Sequence, residues 1–193
     1  MLSELEGLAE EAYASAGVDP PDVVALAFAL LGPDAIVRDQ RPMSGPAALV
    51  GRSIVIARAA TPFDVAHELG HFLIRRAGLL IEDEEAAANY LAGALLAPRR
   101  TFREALRTVG HRLPELAEMF AMTETAAALR IGEVEGTPIA VVAPRHVRVR
   151  GPESWQWPDE RTLRAWARAR ELPGITKIRL RDDPHRIVLA VDE

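Results

Sequence analysis

Apolar positions recur at helical spacing over the first third of the chain, give way to short β-branched runs, and then return to helical spacing. Leu5, Leu8, Ala9 and Ala12 line one side of Ser3 to Ala16, which predicts an amphipathic helix stopped at Gly17. Pro20-Pro21 open a second helix, Asp22 to Leu31, whose Val23, Val24, Leu26, Ala27, Leu30 and Leu31 read as core. Ile36 to Asp39 predicts a short strand, Arg41 to Pro46 a loop, and Leu49 to Arg58 one β-branched strand. Val65, Ala66, Leu69, Phe72 and Leu73 then form an apolar stripe at helical spacing between Thr61 and Gly78. Ala86 to Leu96 is a helix rich in small residues, ended before Pro98. Beyond it, Arg99, Arg100, Arg103 and Arg107 mark a basic helical face that reads as solvated. Glu115 to Phe120 and Thr123 to Ile131 predict two short helices, expected to pack against the preceding core. Strands are predicted at Thr137 to Ala143 and His146 to Arg150, then a helix from Asp159 to Glu171 on which Trp166 can pack. A hairpin of Ile175–Arg181 and Arg186–Asp192 closes the pattern. The fold class is α+β, in three segments: residues 1–112, 113–136 and 137–193.

Composition narrows the chemistry. At 193 residues and 49% apolar, the chain can bury a core as one domain, or one domain with a small appendage. It has no cysteine, so disulfides and thiolate zinc sites are excluded, and a metal site must use His and carboxylate. A net charge of −5 argues against a basic nucleic-acid binder. Lys177 is the only lysine, and with abundant alanine this points to a codon bias towards G and C, as in bacterial or phage genomes. Arginine richness is therefore not a phosphate-binding signal. The longest apolar run, Val23 to Leu31, is too short to span a bilayer, and Met1-Leu2-Ser3-Glu4 lacks a signal-peptide layout, so the expected location is cytoplasmic.

Chemistry concentrates at His67-Glu68-Leu69-Gly70-His71, an H-E-x-x-H pattern. Residues four apart on a helix stack with Cβ atoms roughly 5–6 Å apart. Two such imidazoles can reach one Zn²⁺ at about 2.0–2.1 Å. Glu68, next to the first ligand, can act as base on a metal-bound water. The flanks predict the helix this needs: Thr61 as N-cap, Pro62 at the first helical position, Asp64 completing an acidic capping box, and Gly78 as the stop after Arg75 and Arg76. Two core-edge histidines and a surface glutamate are the bland alternative, which the i, i+4 spacing with Glu inside makes the weaker reading. A catalytic zinc needs a third protein ligand. The acidic cluster Glu82-Asp83-Glu84-Glu85 supplies candidates, and helical rise places Glu85 near the level of His71 in an antiparallel helix pair, with Asn89 one turn higher. Spacing leaves Glu82, Asp83 and Glu84 open as alternatives, since acids favour helix N-termini in any case.

The stretch His67-Glu-Leu-Gly-His71, followed by Glu85-Ala-Ala-Ala-Asn89-Tyr-Leu-Ala-Gly-Ala-Leu-Leu-Ala-Pro98, resembles the ImmA/IrrE zinc metallopeptidases, whose mark is H-E-x-G-H followed by E-x-x-A-N-x-F-A-x-x-L-L-x-P. Leu91 stands where Phe is usual, Gly93 where Ala is common and Ala97 where Met is common; none touches a ligand position. The resemblance is specific over about residues 50–100, fainter over 1–49 and 113–136, and absent beyond 137. It implies a zincin-like core over 1–112, a small sheet with the H-E-x-x-H helix and a ligand helix, carrying Zn²⁺ on His67, His71 and Glu85. Glu68 would be the catalytic base and Asn89 an outer-shell partner. Residues 113–136 are similar to the helix-turn-helix-like segment that follows this core, and 137–193 would form a small α+β extension. Tyr90 is a candidate second oxyanion donor. The implied substrate is a cytoplasmic helix-turn-helix repressor, cut to release stress or mobile-element genes. DNA contact is not expected, because Thr123, Glu124, Thr125 and Arg130 make a poor recognition face. The rivals are a metal-dependent small-molecule amidase and a non-catalytic zinc-fold regulator binding a partner or DNA.

Overall fold

A computed structural model describes residues 2–39, 45–152 and 154–191. The chain divides into two compact units, Met1–Phe102 and Arg103–Glu193.

The first unit begins with helices α1 (Leu2–Ala16) and α2 (Val23–Leu31), the latter capped by Asp22, whose carboxylate accepts from the Ala25 amide. Strands β1 (Ile36–Arg38), β2 (Ala47–Val50) and β3 (Ser53–Ile56) form a sheet of order β1-β3-β2. β3 runs parallel to β1 and antiparallel to β2, with Leu49 opposite Ile54. The single strand expected over Leu49–Arg58 is thus a hairpin, because Val50 pairs with Ser53 and Gly51 turns the chain at φ +64°. β3 is central and β2 lies on the edge. Of the loop expected over Arg41–Pro46, residues 41–44 lie outside those described. Helices α3 (Pro62–Arg76) and α4 (Glu84–Leu96) complete the unit. Leu5, Leu26, Ile54, Leu69, Leu91 and Leu95 are fully buried and draw helices and sheet onto one core. The Tyr13 hydroxyl donates to the Leu95 carbonyl at 2.9 Å, and burial pushes its pKa up.

Helix α5 (Arg99–Val109) runs across the boundary between the units. The second unit continues with α6 (Leu113–Met119) and α7 (Glu124–Glu135), joined through Ala121 at φ +49°. Strands β4 (Ile139–Val142), β5 (Val147–Arg150), β6 (Ile175–Arg179) and β7 (Ile187–Val191) make an antiparallel sheet of order β5-β4-β7-β6. Helix α8 (Glu160–Arg168) packs Leu163, Ala167 and the Trp166 ring onto Ala140, Val142 and Leu189 of that sheet. Helix α7 lies on α6, β4 and β5. Its polar residues point into the structure: Glu124 accepts from the Arg181 amide at 2.7 Å, and Thr125 accepts from Arg186 at 3.1 Å. Arg130, 1% exposed, pairs with Glu133, which also receives Arg150. Among the described residues, no helix is long and apolar enough to cross a membrane.

Candidate metal centre

The start of α3 is fixed by both halves of a capping box. The Thr61 amide donates to Asp64 Oδ2 at 2.7 Å, and the Asp64 amide donates back to Thr61 Oγ1 at 3.4 Å. With Pro62 in the first turn and Gly78 at φ +67° after the last, the helix runs unbroken through residues 67–71. Val65, Ala66, Leu69 and Leu73 fasten one face to the core and hold His71, at the edge of that face, almost buried.

Helix α4 starts ahead of its apolar pattern, because the Asp83 carboxylate caps it by accepting from the Ala86 amide at 2.9 Å. Glu84 and Glu85 thereby become its first helical residues. Gly70 lets the two helices approach: a Cβ there would lie 3.1 Å from the Ala88 carbonyl oxygen and 3.3 Å from its Cα. This close crossing brings the first turn of α4 alongside the histidines.

The donors converge. His67 Nε2 and His71 Nε2 are 3.2 Å apart, His71 Nε2 is 3.3 Å from Glu85 Oε1, and His67 Nε2 is 3.4 Å from Glu85 Oε2. A tetrahedral ion with ligands at about 2.0–2.1 Å holds neighbouring donors roughly 3.3–3.4 Å apart. The triangle therefore has the size that zinc requires, and its donor set is one that zinc accepts. Among the described residues, His67, His71 and Glu85 form a group able to hold a metal ion. Exposure is graded across it: the His71 side chain is 9% exposed, His67 16% and Glu85 73%. The imidazoles sit at the bottom and the carboxylate at the mouth.

The two imidazoles are held differently. His71 Nδ1 lies 2.6 Å from Glu84 Oε1, and Arg75 donates to the same oxygen at 3.0 and 2.9 Å. The hydrogen bond with His71, then the Arg75 guanidinium, holds the Glu84 carboxyl below the usual carboxylate range. His67 Nδ1 is buried without a hydrogen-bond partner. Its ring instead stacks on Phe63, centroids 6.4 Å apart.

Glu68 points towards the sheet, and its Oε2 accepts from the Leu49 amide at 2.7 Å. Leu49 pairs with Ile54 on edge strand β2, and the Ile54 amide donates the other way, to Ala35 at 2.7 Å. The Leu49 amide thus faces the open edge of the sheet, where Glu68 takes it. One oxygen of the Glu68 carboxylate is anchored there.

Asn89 donates to the Glu85 backbone carbonyl at 2.8 Å, bracing the turn that carries the ligand without touching its carboxylate. Tyr90 is buried, and its hydroxyl donates to Glu6 Oε1 at 2.8 Å, which commits it to the α1–α4 packing. His111 pairs with Glu135 at 2.8 Å, in the second unit. Sequence reasoning did not assign Glu84 or the Leu49 amide. Acids at a helix start have an ordinary explanation, and a main-chain donor leaves no mark in the sequence.

Residues 52–132 match the peptidase family model described as the IrrE N-terminal-like domain. This stretch belongs to the ImmA/IrrE family. It contains both motifs of the metal centre, and the Leu49 amide lies just outside it. No curated protein matches the sequence. Among solved structures, a Mycobacterium tuberculosis transcriptional regulator is similar, with a TM-score of 0.66 and 14% identity over 98% of this chain and 88% of that one. At that identity the likeness concerns the fold. Residues 52–132 are thus similar to a peptidase-family domain, and they contain a histidine–carboxylate group able to hold a metal.

Proposed function

We propose that the protein is a zinc-dependent endopeptidase. The observation that carries this reading is the triangle of His67, His71 and Glu85, sized for zinc, with a glutamate anchored one residue along the same helix. Zinc bound there would act as a Lewis acid and lower the pKa of its bound water towards about 7. Glu68, fixed through Oε2, presents Oε1 as the base that takes a proton from the attacking water and returns it to the leaving amine. Apart from the Leu49 amide, which Glu68 holds, edge strand β2 turns main-chain groups outward for an extended peptide chain to pair with, which favours a protein substrate over a small amide. Family resemblance makes a helix-turn-helix repressor in the cytoplasm the substrate of choice. The name of the mycobacterial neighbour, a transcriptional regulator, is in keeping with such a role. DNA contact by α7 is disfavoured, because Glu124, Thr125 and Arg130 are buried.

The test is Glu68→Gln. The variant is expected to bind one zinc per chain, as the wild type does, and to lose cleavage of a co-expressed repressor by at least about a hundredfold, the scale of a general base. Used as bait, it should retain the uncut substrate for identification. Unimpaired cleavage by Glu68→Gln would transfer the role of base to another group. A wild type that binds zinc and cuts nothing would favour the non-catalytic regulator.

A further inference from the structure

We infer that Glu84, held by Arg75, is the positioning residue that orients His71 as a metal ligand. The inference rests on the zinc reading of the site, but not on peptidase activity. An imidazole ligates through one nitrogen, and its orientation and basicity are set by what the other nitrogen donates to. His71 Nε2 faces His67 and Glu85, so Nδ1 carries the proton, and it lies 2.6 Å from Glu84 Oε1. That hydrogen bond selects the tautomer with a bare Nε2 and draws electron density towards it. The carboxylate is itself fixed, because Arg75 Nε and one terminal nitrogen both reach Oε1, at 3.0 and 2.9 Å.

Three features raise the arrangement above an incidental ion pair. First, His67 has no counterpart: its Nδ1 is buried without a hydrogen-bond partner, so one imidazole alone carries the electrostatic support of the site. Second, the bonds bind both helices together, since His71 and Arg75 lie on α3 and Glu84 on α4. They hold the first turn of α4, and with it Glu85, at the level of the histidines. Third, consecutive acids have separate tasks. Asp83 caps the helix, Glu84 steadies one ligand, and Glu85 presents a carboxylate to both histidines.

The experiment measures zinc affinity by competition with a chromophoric chelator, in the full-length protein, for Glu84→Ala, Glu84→Gln and Glu82→Ala. Glu84→Ala is expected to weaken zinc binding by about 10- to 100-fold, the usual effect of removing an outer-shell partner. Glu84→Gln keeps an oxygen acceptor for Nδ1–H and should recover most of that loss. Glu82→Ala removes the same charge from an exposed neighbour and should bind zinc as the wild type does. Cobalt substitution gives a second readout: Glu84→Ala should shift the visible ligand-field bands, while Glu84→Gln leaves them in place. Equal weakening by Glu84→Ala and Glu84→Gln would reduce the role to charge and overturn the inference, as would Glu84→Ala with unchanged affinity and spectrum. His71→Ala distinguishes the two levels of the argument. If it leaves zinc affinity intact, the metal site itself is misplaced. If it abolishes binding while the wild type cleaves nothing, the peptidase reading fails and the role of Glu84 stands.

Discussion

Glu68 extends to a main-chain amide, and on the proposed peptidase reading this decides how the base is aimed. Its Oε2 is tied to Leu49, so rotation of the carboxylate is restricted and Oε1 is presented in one direction. Misplacing a catalytic group by about 1 Å can cost as much as a hundredfold in rate. The donor can be removed cleanly, because the Leu49 amide faces the open edge of the sheet and takes no part in pairing with β3. Proline is tolerated at such edge positions. Leu49→Pro is therefore expected to keep zinc affinity at the wild-type value and lower kcat by about ten- to a hundredfold, whereas Leu49→Ala, which retains the amide, should behave as the wild type. Parallel zinc titration and peptide cleavage assays check both halves. The residues of the centre were unequally visible in advance. His67, Glu68 and His71 stand out because metal chemistry demands a fixed spacing on one helix. Glu85 needed the family resemblance, since the spacing left four neighbouring acids in contention. Glu84 was in view only as an alternative ligand, and its place behind His71 had no signal, because an acid in the first turn of a helix already has a use there.

Helices α3 and α4 carry every side-chain donor of the site, and Gly70 sets how closely they cross. A methyl group at this position would sit 3.1 Å from the Ala88 carbonyl oxygen, so alanine would need a shift of a few tenths of an ångström, and a β-branched side chain considerably more. Gly70→Val is expected to destabilise the fold by about 1–3 kcal/mol, the range for overpacking, and to weaken zinc binding by separating Glu85 from the histidines. Urea unfolding and chelator competition measure the two effects. Helix α3 was legible almost to the residue, because Thr61, Pro62 and Asp64 are local signals that the fold obeys. The β2–β3 hairpin was not. A two-residue turn at Gly51-Arg52 is brief, and the apolar residues on either side read as one continuous run. Helix α7 was obscure in another way. Its Glu124, Thr125 and Arg130 read only as a poor recognition face for DNA, and nothing in the sequence shows that the amide of Arg181 and the side chains of Arg186 and Glu133 take them up in the interior. Pairing across large sequence separations leaves no periodic trace.

The candidate metal ligands His67, His71 and Glu85 lie within Met1–Phe102, while Trp155, Trp157 and Trp166 all lie within Arg103–Glu193. Zinc binding is best followed by a signal from the first unit itself. Zinc at a hundred times its dissociation constant stabilises the form that binds it by about 2.7 kcal/mol. Hydrogen exchange should show this as added amide protection concentrated in residues 62–96, and a gain confined to the second unit would place the ion elsewhere. The make-up of the donor set has one more outcome. Zinc sites built on thiolates surrender their ion when peroxide oxidises the sulfur. Two imidazoles and a carboxylate, in a chain with no cysteine anywhere, offer such an oxidant no sulfur at the ligands. Zinc held by this donor set would stay bound at peroxide doses that empty thiolate sites.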